Sequence, residues 1–195
     1  KKTGLGLRYS QGFNPHPKMG FAQPLSLGYS SKSELIEFEL NSPADEKVIL
    51  NKMQELMPEG IHLLDCFTLA ADIKSLAACA DAALYKIWIP TDLDEAELKS
   101  LFSKYLEQNE IHAMKRQKKT KQLQPVNIKH MIREGEILKL GEFAMIRILL
   151  DCGSQSNCSP ELVISSFCEF AGIDTPRYDI EVEREELFFT NNLQF

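Results

Sequence analysis

The sequence contains no apolar run that approaches the roughly 20 residues needed to cross a lipid bilayer, and we identify no signal-peptide pattern. It also lacks G-x-S-x-G, Walker A, dinucleotide-binding and H-E-x-x-H motifs. The cysteine spacing C-x3-C-x2-C, which would hold an iron–sulfur cluster, is absent as well. These absences disfavour a membrane partner and the commonest hydrolase, dehydrogenase and metalloenzyme classes.

Cysteine is scarce and odd in number, with five residues in the chain. Cys66, Cys79 and Cys168 lie in apolar stretches and are predicted to be buried thiols. Cys152 and Cys158 flank a Gly/Ser/Asn loop and could pair or bind a metal, but C-x5-C is not a usual ligand spacing and no second pair completes a site. We therefore expect no metal and no cofactor, and a cytoplasmic location in which thiols stay reduced.

The bulk composition is that of a globular protein, with 44% hydrophobic and 26% charged residues. A length of 195 residues allows one large domain or two small ones. The net charge of -6 argues against nucleic-acid binding over the whole surface but permits a local basic patch. Because the chain starts Lys-Lys-Thr without Met, we expect its natural beginning to lie upstream.

Residues 9–18, YSQGFNPHPK, contain Gly, Asn, two Pro, His and Lys without hydrophobic periodicity. Each Pro removes a backbone donor and restricts the residue before it, so the segment is predicted to be a stiff loop. Such a loop would hold Gln11, Asn14, His16 and Lys18 in fixed directions, which is typical of a binding site. The alternative is a crossover that only shapes a sheet edge.

Hydrophobic patterns in the first half predict strands at residues 19–27, 33–40 and 61–69. Between the last two, a helix is predicted with Ser42 as N-cap and its end near Pro58. In the second half, strands are predicted at residues 84–89, 111–116, 143–150 and 178–182. Helices are predicted after Asp92 and, with Ser159 as N-cap and Gly172 as C-cap, over residues 160–171.

This order predicts an α+β fold of two tandem ferredoxin-like (split βαβ) units. The first unit, residues 1–75, would lack its opening strand and most of its first helix. The second, residues 84–189, would carry a basic insertion at 115–141. A single irregular α+β domain is the alternative.

A basic cluster stands out in this acidic chain, because residues 115–133 hold seven of the 22 Lys and Arg residues. Such clusters gain affinity for phosphate through counterion release. The alternative is a solvated hairpin tip. Five of the cations fall within seven residues: Lys115, Arg116, Lys118, Lys119 and Lys121.

Catalysis has little support in the sequence, since the four His residues are scattered. His16 beside Lys18 could serve in acid–base chemistry, but no carboxylate lies nearby in the sequence to orient it. We expect no catalytic residue.

Residues 8–18, followed by Phe21-Ala22, Pro24-Leu25 and Leu27-Gly28, resemble the signature of the radical-SAM-linked proteins. This bacterial family of uncharacterised domains is fused to, or encoded beside, cobalamin-type radical-SAM proteins. The resemblance implies a radical-SAM partner and a further strand and helix before Lys1. The family's genes often lie near those of ribonucleases and ribosomal proteins, which makes RNA a reasonable target. Where members have an Asp-Ile step, this chain has Asn127-Ile128.

Tandem ferredoxin-like units are also similar to those of tRNA pseudouridine synthases, but the catalytic Arg-Thr-Asp-type loop is absent, which favours binding over isomerisation. We therefore expect an accessory module that binds RNA and works with a radical-SAM partner in RNA modification. The candidate phosphate contacts are Arg8, Lys18 and the basic cluster at 115–121. The candidate hydrogen-bonding groups are Gln11, Asn14 and His16, and the candidate stacking rings are Tyr9 and Phe13. The alternatives are a protein–protein adaptor that docks on the radical-SAM subunit, and an RNA-modifying enzyme that uses His16 and Lys18.

Overall fold

The computed structural model describes residues 3–70, 72–73, 75–117 and 120–190, and these form a mixed α+β structure. The α+β class is therefore confirmed. The helices are α1 (Glu46–Gln54), α2 (Leu76–Cys79), α3 (Glu95–Glu107) and α4 (Pro160–Ala171). The strands are β1 (Met19–Phe21), β2 (Ser30–Ser31), β3 (Ile36–Phe38), β4 (Ala80–Pro90), β5 (His112–Arg116), β6 (Leu123–Asn127), β7 (Ile132–Leu140), β8 (Phe143–Asp151) and β9 (Glu181–Phe189).

A five-stranded sheet with the order β2-β9-β4-β8-β7 forms the centre of the molecule. The four long strands pair antiparallel, and the short β2 pairs parallel to β9. Along the chain, α3 separates β4 from β7, and α4 separates β8 from β9. The remaining strands form two separate two-stranded sheets, β1 with β3 and β5 with β6.

The hydrophobic core lies between one face of this sheet and the helices α3 and α4. The rings of Phe102 and Phe167 meet edge to face, with centroids 5.3 Å apart, and Tyr105 packs on Phe167 at the same distance. The buried hydroxyls of Tyr105 and Ser166 are 2.7 Å apart and satisfy each other. Edge-to-face packing with satisfied hydroxyls fixes the positions of the two helices on the sheet.

The strand that pairs with β8 at the edge of the central sheet is not the one that the sequence predicted. The prediction placed residues 111–116 in it, but β5 pairs with β6 in a separate hairpin, and β7 takes that position from within the predicted insertion at 115–141. Gly135 of β7 explains part of this choice, because a Cβ there would lie 3.2 Å from the Phe102 ring. A side chain there would require the ring to shift by a few tenths of an ångström, so glycine favours this close approach of the strand to α3.

In the first half, the predicted strand at residues 61–69 does not form. Its backbone is bonded by side chains of α1: the amide of Leu63 donates to Gln54 Oε1 at 2.8 Å and that of Thr68 donates to Glu46 Oε1 at 2.6 Å. These side-chain bonds, from residues 9 and 22 positions away, occupy amides that strand pairing would otherwise use. The tandem arrangement of two ferredoxin-like units is therefore not confirmed, since this half contributes only short strands and α1.

Helix boundaries follow local capping signals, with two corrections. The N-cap of α4 is Ser159 and its C-cap is Gly172 with φ 67°, as predicted. However, α1 is capped by Asp45 and not Ser42, and α3 by Asp94 and not Asp92. Among the described residues, no helix is long and apolar enough to cross a membrane.

The sheet face away from the helices carries an ion cluster around Glu185 that should make stability depend on pH. Burial acts to raise the pKa of Glu185, but hydrogen bonds from Lys86, Arg147 and Lys32 outweigh it and lower this pKa to about 2. A carboxylate with a lowered pKa stabilises the fold above its unfolded pKa of about 4.3, and this contribution is lost as the pH falls toward 2.

We therefore expect the urea midpoint of the wild type to drop between pH 7 and about pH 3 by more than that of Glu185→Gln. The difference between the two proteins at each pH isolates this carboxylate from the others that titrate in the same range. Equal drops would contradict the role assigned to the cluster.

Candidate functional site

The loop at residues 9–18 is closed at its base by backbone bonds. Tyr9 and Pro17 form an isolated antiparallel bridge. The amide of Ser10 donates to the carbonyl of His16 at 2.8 Å, and the amide of His16 donates to Ser10 Oγ at 3.0 Å. The base is thus held by several bonds, while residues 11–16 are exposed to solvent.

Glu39, next to β3, clamps both ends of this loop. Its carboxylate lies 3.0 Å from Lys18 Nζ and 3.1 Å from Arg8 Nη1. The backbones of the three residues also bond in a ring, with N–O distances of 2.8–3.0 Å. Lys18 first, and then Arg8, lower the pKa of Glu39. One carboxylate for two cations leaves a net charge of about +1, so these cations are less free to bind phosphate than the sequence suggested.

The loop tip presents one aromatic ring among polar groups. Phe13 is fully exposed, at 105% of its reference area, and Gln11, Asn14 and His16 are exposed around it. Tyr9 is exposed to 38%. An aromatic face beside amide donors and acceptors offers stacking and hydrogen bonds to a flat ligand.

His16 has no carboxylate to orient it. Within the described ranges, its backbone makes hydrogen bonds, but its imidazole makes none and joins no ion pair. The ammonium group of the neighbouring Lys18 is already bonded to Glu39. The enzyme hypothesis required a carboxylate converging on His16, and the geometry does not supply it.

The basic cluster lies on the β5–β6 hairpin, with Lys115 and Arg116 exposed on β5. Lys121 follows in the turn with a φ of 60°, while Lys118 and Lys119 lie outside the described residues. Arg116 Nε donates to the carbonyl of Lys121 at 3.1 Å.

The cations of the hairpin are not neutralised by carboxylates. Across residues 3–70, 72–73, 75–117 and 120–190, none of Lys115, Arg116 and Lys121 forms an ion pair. Nine other cations do: Arg8, Lys18, Lys32, Lys86, Lys99, Arg133, Arg147, Arg177 and Arg184. The hairpin is thus a local concentration of unpaired positive charge.

The β5–β6 hairpin and the loop at residues 9–18 rest on different elements. Strand β5 packs on α4, whereas the loop lies beside β1 and β3. Burial raises the pKa of Cys158, which lies just before α4, to about 12, while the charge of Lys115 acts to lower it. In the part of the chain that the structure describes, no hydrogen bond or ion pair joins the hairpin to the loop.

Sequence reasoning missed the buried pair that connects the first half to the central sheet. Arg184 of β9 is only 2% exposed and donates to Glu34, with Nε 2.8 Å from Oε1, and to the carbonyl of Gln23 at 2.7 Å. Nearby, Tyr29 donates to Glu161 at 2.8 Å. The available signal was the alternation of β9, which puts Arg184 on the same side as the buried Val182.

Cysteines and Asn127 have structural roles here. Within the described residues the cysteines form no disulfide, and Cys66 and Cys168 are half-buried where burial was predicted. Among the described side chains, no group of three His, Cys, Asp or Glu is arranged to hold a metal. Asn127 Oδ1 accepts from the amides of Ile111 and Lys129 at 3.2 and 3.0 Å, so it closes the base of the hairpin.

Comparison with known proteins gives one family. A family model described as "Uncharacterized protein conserved in bacteria (DUF2344)" matches residues 1–160. That description names no reaction, no RNA and no radical-SAM protein. No curated protein matches the chain.

Proposed function

The chain belongs to this family of uncharacterised bacterial proteins, and we propose that it is a non-catalytic accessory module that binds RNA. The observation that carries the proposal is the β5–β6 hairpin, whose described cations are free of carboxylates in a protein of net charge -6. Unpaired Lys and Arg side chains release counterions when they contact phosphates, which is the main source of non-specific RNA affinity.

The loop tip supports the same ligand. Single-stranded RNA exposes base faces and edges, which aromatic rings and amide groups recognise. Phe13 offers a free ring, and Gln11 and Asn14 offer donors and acceptors beside it. We assign stacking to Phe13 and phosphate contacts first to the hairpin, because Glu39 already occupies Arg8 and Lys18.

The proposed scaffold is ferredoxin-like in its second half. The order β9-β4-β8-β7, with α3 and α4 as connections, is that of a split βαβ unit whose second strand is β7. We propose that the first half is a reduced unit of the same kind, built from β1, β3 and α1. The proposed partner is a radical-SAM protein, on the basis of the sequence signature at residues 8–28.

The direct test is binding of a fluorescein-labelled, mixed-sequence, single-stranded RNA, followed by anisotropy at two salt concentrations. If the hairpin neutralises three phosphates, raising the salt fourfold should weaken affinity about 20-fold. Absence of binding at low salt, or binding that salt does not change, would overturn the proposal. Absence of binding would make the adaptor hypothesis the better explanation of the loop, whereas salt-independent binding would show that the hairpin cations do not carry the affinity.

Phe13→Ala should weaken this RNA affinity by about 5- to 150-fold, because stacking on an aromatic ring contributes about 1–3 kcal/mol per base. Its melting temperature should not change, since the ring is fully exposed. Leu27→Ala is the matched control, because Leu27 is an apolar side chain of the same half and is 102% exposed. Equal losses in both variants would show that exposed apolar area, and not stacking, is being measured.

A further inference from the structure

The central sheet carries an apolar patch on the face opposite α3 and α4. The buried core residues of β4 and β8, such as Ile87 and Ile146, point to the helices, so their strand neighbours point to the other face. Strand register places six apolar residues there in two adjacent rows: Pro90, Phe143 and Leu140, then Trp88, Met145 and Leu138. Leu140 is 50% exposed, and Leu138 and Phe143 are 38% and 37% exposed, whereas Trp88 and Pro90 are half-buried and Met145 is buried beneath the others.

Two exposed carboxylates border this patch, which we call the sheet patch: Glu142 lies in the turn beside Phe143, and Glu181 is the partner of Trp88 in β9. On another side, the patch is bordered by a strand row of mixed charge that holds Glu136, Arg147 and Lys86. Glu136 is 3.6 Å from Arg147, while Glu142 and Glu181 form no ion pair with any described residue. In the mixed row the cations are paired with Glu136 and Glu185, so Glu142 and Glu181 supply the net negative charge beside the patch. This charge repels phosphate groups, so the sheet patch is suited to a cationic segment with apolar side chains and not to RNA.

The chain itself contains such a segment. On the outer face of the β5–β6 hairpin, Met114 pairs with Pro125 and Arg116 pairs with Leu123. Met114 and Leu123 are 53% and 61% exposed, and the charge of Lys121 lies in the turn. Because β5 packs on α4, the hairpin is on the helix side of the sheet, opposite the sheet patch of its own chain.

We propose that the sheet patch binds the β5–β6 hairpin of a second copy of this chain. The two surfaces complement each other in charge and both present exposed apolar side chains. The contact joins different surfaces of the two copies, so it leads to rings or open assemblies. The hairpin is small, which places the contact among transient interfaces with affinities on the order of 100 µM. The proposal does not depend on RNA binding, but RNA on the hairpin would compete with it.

The test is sedimentation of the full chain from about 10 µM to about 1 mM, a range that brackets this affinity. The wild type should gain average mass above 22.2 kDa as concentration rises, and high salt should oppose the gain. Two variants should each stay monomeric. The face variant carries Leu138→Lys and Leu140→Lys, and the hairpin variant carries Arg116→Glu and Lys121→Glu. Mixed together, they should form a one-to-one dimer and nothing larger, since each retains one intact surface.

Trp88 gives a second readout, because it is the only tryptophan and lies in the sheet patch. Its emission should shift to shorter wavelength when the two variants are mixed, and Leu27→Lys should behave like the wild type. A wild type that stays at 22.2 kDa up to about 1 mM would overturn the proposal. A face variant that still associates while its circular dichroism is native, or a mixture that remains monomeric, would overturn it equally.

Discussion

Glu34→Ala is expected to lower the free energy of unfolding by about 3–5 kcal/mol, because it leaves the buried charge of Arg184 without its carboxylate. The guanidinium would keep only weaker neutral partners, such as the carbonyl of Gln23 at 2.7 Å. Urea denaturation at neutral pH measures the effect. Because the pair joins residues 150 positions apart, we also expect earlier proteolysis of the first half.

Two controls separate the buried charge from the loss of a contact. Glu39→Ala breaks the ion pairs with Arg8 and Lys18, whose side chains are 59% and 40% exposed, and it should cost less than about 1 kcal/mol. The double variant Glu34→Leu with Arg184→Met removes both charges and should recover most of the loss, since apolar replacements of buried pairs are often neutral. If Glu34→Ala costs no more than Glu39→Ala, Arg184 is not buried as described.

Reversing Lys115, Arg116 and Lys121 to Glu is expected to weaken RNA affinity by about 100-fold or more at low salt. The variant loses three phosphate contacts and gains three repulsive charges, so its residual binding should also depend less steeply on salt. Anisotropy with the labelled RNA measures both the affinity and the salt slope. The fold should tolerate the change, because these side chains form no ion pair within the described residues.

The matched control reverses Lys47, Lys52 and Lys104, which lie on α1 and α3 and form no ion pair among the described side chains. Both variants carry the same net charge. If the hairpin is a local site, the control should lose far less affinity. Equal losses would show that RNA senses only the overall charge of the protein, and the assignment to the hairpin would be wrong.

Local features of this protein were determined by the sequence alone. The caps of α4, Ser159 and Gly172, act within one helical turn, so their residue types suffice to place them. The prolines of residues 9–18 exclude helix and central strand wherever the segment lies. Lys115, Arg116 and Lys121 are exposed because burying them without partners is too costly.

Only the tertiary structure decided which distant residues meet. Glu39 clamps Arg8 and Lys18 across 31 and 21 positions, and Arg184 reaches Glu34 across 150. Strand β7, and not the predicted segment 111–116, pairs with β8, and its Gly135 leaves room for the ring of Phe102 on another element. Residues 61–69 have strand-like apolar content, but Gln54 and Glu46 of α1 take up two of their amides. Such outcomes depend on competition between partners far apart in the chain, and hydrophobic periodicity does not encode that competition.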